Sequence, residues 1–490
     1  MRNPKRHQQS TENFAGDLSS LERRVQSDLD CLCFPGPAWV PSRVHEGEEV
    51  LDVVIVGGGM CGQLAWFALA MDGVRNVRII DRNPEGFEGP WLTYARMETL
   101  RSPKNLAGPA YRISGLTFQA WYRAKFGTPA WEELDKIPRE LWMDYLRWYR
   151  AVLKIPVENG VELVQVQPRG QYLRLHVKGA VSSSVLTRKV IFATGREGGG
   201  LANIPDFIGE LSPDFWSHTA EAINFSALKK KRVAVVGAGA SAIENAAEAL
   251  EAGAHEVRVL IRRDTLPTIN KMMGLGSGGF FHGFAELSDA WRWRILQYTL
   301  RMQTPPPRSS VLRVSRHAKA YFHFGTTIAS VQRANDDLSV RFDNGKCLSV
   351  DYLILGTGFV IDPKTQNELG SAAKNILQWR DVYHPPASEA NGGLGLFPYL
   401  NGDFTFRERE PGMSPWISHL YCFNYAAIAS QGQVCGDIPG ISYGAALLAR
   451  CLCERLYAED IDRHWQDLQS YSRPELLGNE WARSEFDTSC

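Results

Sequence analysis

The run LDVVIVGGGMCG, residues 51–62, reads as a buried strand from Leu51 to Val56 that enters a turn with glycines at positions 57, 59 and 62. A helical pattern follows, with Leu64, Phe67, Ala68 and Met71 on one face. Strand, tight glycine turn and helix form the context in which G-x-G-x-x-G has a physical meaning. Gly57 permits the tight turn, Gly59 lets backbone approach a pyrophosphate, and Gly62 lets helix pack on strand. The helix start offers free N–H groups and the positive end of a dipole to phosphates. A second strand, VRII, ends in Asp81, 24 residues after Gly57. A carboxylate there accepts from a ribose 2′-OH and repels a 2′-phosphate.

The device recurs. KRVAVVGAGASAIENAAEAL places Gly237 180 residues after Gly57, with Gly239 second and Ala242 in the third position. The strand that follows, EVRVLIRR, ends in Arg262 and Arg263 where the first unit ends in Asp81. Guanidinium groups match phosphate oxygens bidentately and stay charged. The first unit is therefore expected to take a nucleotide with a free 2′-OH, and the second a nucleotide with a 2′-phosphate.

Bulk properties narrow the class. With 490 residues, two or three domains are expected. The 54 basic and 54 acidic residues balance, which argues against nucleic acid or an anionic membrane surface as the main partner. No apolar run is long enough to span a bilayer, and the polar start MRNPKRHQQSTENFAGD lacks the apolar core of a signal peptide. A soluble, cytoplasmic protein is the expectation. The nine cysteines form no disulfide framework and no metal-ligand spacing, so no metal is expected. No C-x-x-C follows the first turn, which disfavours a dithiol reductase.

Residues 1–47 read as an extension packed on the outside, with an amphipathic piece from Leu18 to Leu32. The stretch IPRELWMDYLRWYRAVL puts Trp142, Tyr145, Leu146 and Tyr149 at helical spacing, a face for packing. Two strands end in similar turns, Ala193-Thr194-Gly195 and Gly356-Thr357-Gly358. Residues 271–312 read as an aromatic insertion, either a pocket cover or, as favoured here, a packing platform. Gly436-Asp437 is a turn before a helix from about Ser442, and the tail after Tyr457 reads as polar.

Two dinucleotide turns, two A/G-T-G strand ends and a late Gly-Asp before a helix resemble the flavoproteins with two dinucleotide-binding domains, over roughly Leu51 to Tyr457. Gly89-Pro90-Trp91, VVGAGASAIE with Ser241, TLRSPKN (Thr99 to Asn105) and IPRELWMDYLRW (Ile137 to Trp148) are similar to class B flavoprotein monooxygenases, the last two most to the ornithine and lysine N-hydroxylating branch. The fingerprint F-x-G-x-x-x-H-x-x-x-Y is only partly met: Phe207 and Gly209 are present, but His218 comes late. Urate hydroxylases share the general likeness.

The resemblance implies an α/β fold with two Rossmann-type domains, the NADPH domain inserted in the FAD domain. The expected division is extension 1–47, FAD domain 48–225, NADPH insert 226–350, second FAD part 351–470 and polar tail 471–490. FAD is expected on Gly57, Gly59, Gly62, Asp81, Trp91 and Asp437, and NADPH on Gly237, Gly239, Ser241, Arg262 and Arg263. The implied activity is oxygenation of a small molecule by O₂ through a flavin C4a-(hydro)peroxide, at nitrogen or another heteroatom. The alternatives are an NAD(P)H-dependent flavin reductase without oxygen insertion, or Baeyer–Villiger or urate-hydroxylase-like activity. The asparagine that flavin-containing monooxygenases place near the flavin falls here at about Arg101 or Ser102, and Arg101 is the candidate for holding NADP⁺ or peroxide charge.

Overall fold

The computed structural model describes residues 17–335 and 337–484; the polar start at 1–16 and the end of the tail at 485–490 lie outside the described residues. The fold is mixed α/β, built on two parallel sheets that each carry one of the glycine turns. The first sheet orders Val157–Asn159, Val77–Asp81, Glu48–Val56 and Ser184–Phe192 in parallel, with Leu420–Cys422 also parallel on Ser184–Phe192. The hairpin Glu162–Arg169 and Tyr172–Lys178 extends it antiparallel. The central strand is apolar on both faces, Val53, Val54 and Ile55 being fully buried, as a strand covered on two sides must be.

The second sheet orders Trp216–His218, Tyr352–Leu355, Arg232–Val236, Glu256–Leu260 and Ala320–His323, all parallel. Its outer strand at 216–218 and its inner strand at 352–355 flank the 226–350 stretch on either side. A three-stranded antiparallel unit, Ile328–Ala334, Asp337–Phe342 and Cys347–Val350, packs on it through Val331, Leu338 and Val340. Both linkers between the two sheets meet in a short antiparallel pair, Gly200–Ala202 with Phe359–Ile361.

The two turns are superimposable in their hydrogen bonding. Gly57 N–H donates to Ile80 O at 2.8 Å and Gly237 N–H to Leu260 O at 3.0 Å. Ala193 N–H donates to Val56 O at 2.9 Å and Gly356 N–H to Val236 O at 2.8 Å. The A-T-G and G-T-G strand ends thus close against the two glycine turns in the same way.

The extension puts a helix, Leu18–Cys31, on the first domain through Leu21, Val25 and Leu29, and Asp17 caps its start by accepting from Ser19 N–H. The helix Arg139–Leu153 buries Trp142, Tyr145, Leu146 and Tyr149 on one face, in accord with their spacing. The aromatic insertion does not stay with the second domain. Phe284, Trp293 and Leu296 are buried in the core of the first, where Trp293 lies 6.1 Å from the Trp379 ring. The chain leaves the second domain after Ile261, crosses to the first, and returns with the helix Arg308–Ser315, which packs Val314 beside Ala240–Glu251. The tail is also less polar than its composition suggests, since Tyr471, Leu476, Leu477 and Trp481 all stand exposed.

Candidate functional site between two glycine turns

A Cβ placed at Gly57 would lie 2.6 Å from Ala193 O, and φ there is +104°. A Cβ at Gly62 would lie 1.8 Å from Gly57 O. Both positions are closed by the chain's own backbone. Gly59 differs: a Cβ there meets nothing nearer than Gly89 at 3.7 Å. The helix Met60–Met71 starts at Gly59 with no side-chain cap, so its first N–H groups are left for another acceptor. The second turn repeats the contrast. A Cβ at Gly237 would lie 2.3 Å from Gly356 O, with φ +129°, whereas one at Gly239 would meet nothing within 4 Å. The helix Ala240–Glu251 likewise starts without a side-chain cap. Open cradles and uncapped helix starts at both turns fit the phosphates of two dinucleotides.

Asp81 is buried at the end of its strand, where it accepts from Gly58 N–H at 2.8 Å and from Asn83 N–H at 2.8 Å. It therefore shapes the glycine turn as well as ending the strand. Trp91 lies half-buried beside the first turn, edge-on to Trp142 at 6.1 Å, and a Cβ at Gly89 would rest on it at 3.7 Å. At the second turn Ser241 is exposed on the first helical turn. Arg262 and Arg263 are both exposed; Arg263 donates to Arg301 O, while Arg262 makes no described hydrogen bond or ion pair.

Three segments distant in sequence close on the start of the Met60–Met71 helix. Tyr425 N–H donates to Gly195 O at 3.3 Å, and Asn424 Nδ2 donates to Thr194 Oγ1 at 3.1 Å. The backbone of Gly436 hydrogen-bonds the Cys61 thiol, whose pKa burial pushes up to about 12. The Arg196 guanidinium lies over the Tyr425 ring at 4.2 Å. Burial raises the Asp437 carboxyl, with Arg196 and Arg101 pulling it back. Arg101 stands on the strand Thr99–Pro103, which pairs antiparallel with Lys136–Pro138, so the two segments likened to the N-hydroxylating branch are hydrogen-bonded partners. Arg101 keeps solvent access; the protein packed around its stem lowers its pKa, opposed by Glu244.

Glu244 is the counterpart from the second domain. It sits on the helix after the second turn, 4% exposed, with the Ser310 hydroxyl at 3.4 Å. Burial pushes its carboxyl up to about 7, while Ser310, Arg101, Arg313 and Arg139 pull it down. Two arginines and two raised carboxyls thus face one another across the domain seam. Neither Glu244 nor Arg196 stood out in the sequence. Glu244 left one readable trace, an acid within the apolar face Ile243, Ala246, Ala247. Asn424 and Tyr425 lie in a loop-rich region without periodicity and left none.

A cavity of about 220 Å³ opens along the seam between 96–98 and 138–140 of the first domain and Glu248 of the second. A larger one of about 540 Å³, between 206–212 and 329–333, lies on the second domain away from both turns. Neither coincides with the charged cluster, and the glycine turns and hydrogen bonds place the site better than cavity size does. Among the described residues no group of His, Cys, Asp and Glu is arranged to hold a metal ion, and no helix is long and apolar enough to cross a membrane.

Residues 51–274 match the pyridine nucleotide-disulphide oxidoreductase family model. The thiols of Cys61, Cys422 and Cys435 near the first turn are buried and free, and burial raises each of them. The ornithine hydroxylase from Pseudomonas aeruginosa shares the fold with a TM-score of 0.64 at 16% identity, over 83% of this chain and all of that one. L-lysine 6-monooxygenase from Pseudomonas syringae does so with a TM-score of 0.60 at 17% identity, over 83% of this chain and 99% of its own. The FAD-dependent urate hydroxylase of Xanthomonas campestris pv. campestris is 38% identical over 464 residues, 94% of this chain and 98% of that protein. With two glycine-turn sheets joined in this way and that identity along nearly its whole length, the chain belongs to the FAD-dependent urate hydroxylase family, an oxidoreductase of the flavoprotein monooxygenase type.

Proposed function

We propose that this chain is an FAD- and NADPH-dependent monooxygenase whose substrate is urate or a closely related oxopurine. The match to a urate hydroxylase over nearly all of both chains carries the substrate reading. The N-hydroxylating neighbours, at 16–17% identity, support the shared fold and leave amine substrates as the second reading.

FAD would lie with its pyrophosphate over Gly57 to Met60 and its flavin among Gly89-Pro90-Trp91, Thr194 to Arg196 and Gly436-Asp437. Each Asp81 oxygen has a second lone pair to accept from a ribose hydroxyl while it holds the turn. NADPH would lie on Gly237 to Ser241, with Arg262 free to take the 2′-phosphate and Arg263 already engaged by Arg301 O. Bound FAD supplies the hydride acceptance and oxygen activation that no side chain provides. The chain's own part is charge and protons. Urate is a planar anion near neutral pH, and Arg101 and Arg196 offer it fixed positive charge on one side of the seam. Glu244, its carboxyl pushed up to about 7 by burial, is poised to hold or release a proton at its Oε atoms near neutral pH.

The test is NADPH oxidation by the FAD-loaded protein with urate, ornithine or lysine added in turn. Stimulation by urate, with urate consumed, supports the reading. Stimulation by the amino acids alone, with hydroxylamine formed, transfers the activity to the second reading.

A further inference from the structure

One carboxylate ties together three segments that would flank bound FAD. Glu197 stands two residues after the strand end Ala193-Thr194-Gly195, and its Oε2 accepts from Arg82 Nη2 at 2.7 Å. Arg82 directly follows Asp81 at the end of Val77–Asp81. The Tyr94 hydroxyl, three residues after Trp91, lies against the same carboxylate; burial first, and then the Glu197 charge, hold it well above the usual phenol range. In the first sheet Glu48–Val56 runs between Val77–Asp81 and Ser184–Phe192. Neighbouring strands lie about 4.8 Å apart, so the ends of the two flanking strands stand about 10 Å apart. Arg82 and Glu197 therefore meet across the end of the middle strand, where the chain turns at Gly57 to Gly59. A dinucleotide on that turn lies in the same crevice, outside the strand ends.

Both footings of the ion pair are fixed from outside the crevice. Asn159 Nδ2 donates to Asn83 O at 3.1 Å and Arg147 Nη2 to Gly86 O at 2.7 Å, which anchors the segment after Arg82. Gln366 Nε2 donates to Gly198 O at 2.8 Å, which anchors the segment after Glu197. Between the footings there is room, since a Cβ at Gly195 would meet nothing within 4 Å. The pair itself is the part that can yield: the Arg82 side chain is 63% exposed and that of Glu197 27%, so water competes for both charges.

We propose that Arg82 and Glu197 form a strap across the FAD crevice, which opens for the cofactor to enter or leave and closes again behind it. Both are positioning residues, which retain FAD by closing its way out and not by bonding it. The strap rests on FAD lying at the first glycine turn. Its signature is kinetic. A group that bonds FAD slows release and leaves entry alone, so its loss weakens affinity. A strap slows entry and release alike, so its loss speeds both and leaves affinity nearly unchanged.

The test compares wild type with the double variant Arg82→Gln and Glu197→Gln, which keeps the net charge and so the long-range attraction for the pyrophosphate. FAD release from the holoenzyme on dilution, and its uptake by the apoprotein, are followed by flavin fluorescence. Both rates should rise about two- to five-fold, the range that an exposed ion pair sustains. The ratio of variant to wild-type rates should fall towards one as salt is raised and screens the pair. The apoproteins should unfold at the same temperature. Unchanged rates, faster release with unchanged uptake, a ratio that salt does not alter, or a lower unfolding temperature of the variant would each overturn the strap. Gly59→Val protein that retains FAD would instead remove the cofactor from this crevice, and the strap with it.

Discussion

Gly59 and Gly62 stand three residues apart and answer to different constraints. At Gly62 the chain's own backbone leaves no room for a side chain, and at Gly59 it does. Gly62→Val is therefore expected to unfold the first domain. Gly59→Val should fold with an unchanged unfolding temperature of the apoprotein, yet bind FAD at least about a hundred-fold more weakly, near 3 kcal/mol, read as lost flavin absorbance. A Gly59→Val protein that stays yellow would remove the pyrophosphate from this turn. Glu244 supplies a second residue-scale expectation. Its carboxyl is raised from the ordinary 4.5 to about 7, so the folded state holds a proton that the unfolded state has lost. Stability should then fall as pH rises from about 4.5 to about 7 and level off above. Glu244→Gln should flatten that slope and leave the protein up to about 3 kcal/mol more stable above neutrality. Urea unfolding at several pH values measures both; an unaltered slope in the variant assigns the pH dependence elsewhere. The glycines were legible because a tight turn demands them. Glu244 was not, because its significance depends on Arg101, 143 positions away in the chain and brought close only by the packing of two domains.

Among the elements, the central strands Glu48–Val56 and Arg232–Val236 end at their glycine turns, because a buried strand must be apolar throughout and must stop at a turn. That made both dinucleotide units readable, along with the helix Arg139–Leu153. The strand at 216–218 is three residues long and has no pattern of its own; it is defined by Tyr352–Leu355 beside it. The strand end at Arg262 carries the nucleotide preference. Arg262→Ala should raise the KM for NADPH roughly ten- to a hundred-fold, at about 1.5–3 kcal/mol for a charge-assisted contact, and leave that for NADH nearly unchanged. Arg263→Ala should do less, since Arg263 is already bonded to Arg301 O. Equal losses for both nucleotides would place the 2′-phosphate elsewhere. The long helix Ile441–Glu459 of the first domain is tied down by an ion cluster: Arg188 reaches Asp460 at 2.8 Å, Glu459 at 3.0 Å and Asp52 at 3.5 Å. Asp460 and Asp52 are both buried, so Arg188→Ala takes one of two cations from Asp460 and the ion-pair partner from Asp52, and should cost about 3–5 kcal/mol, seen as a lower unfolding midpoint. An unchanged midpoint would mean that Arg43, the other cation on Asp460, suffices.

The whole molecule is two nucleotide sheets that share more than their paired linkers. The 271–312 excursion buries Phe284 and Trp293 in the first domain and returns to the second. Arg313, on the return helix, holds Glu248 and Glu251 of its own domain at 2.8 and 2.6 Å and approaches Glu98 of the other at 3.5 Å. The seam that carries Arg101, Arg196, Glu244 and Asp437 is thus braced on both sides, a geometry suited to keeping water from an oxygenating centre. Sequence could mark the aromatics of the excursion as packing material but could not say which domain they pack on, since that depends on contacts far apart in the chain. In this enzyme an atom of O₂ is expected to end in an organic product. The most direct measurement is turnover of the FAD-loaded enzyme with NADPH and urate under heavy-isotope O₂, followed by mass spectrometry of the product. One labelled oxygen per product molecule, with little hydrogen peroxide, is the predicted result. Unlabelled urate with all of the label recovered as hydrogen peroxide, for urate and for amines alike, would contradict it.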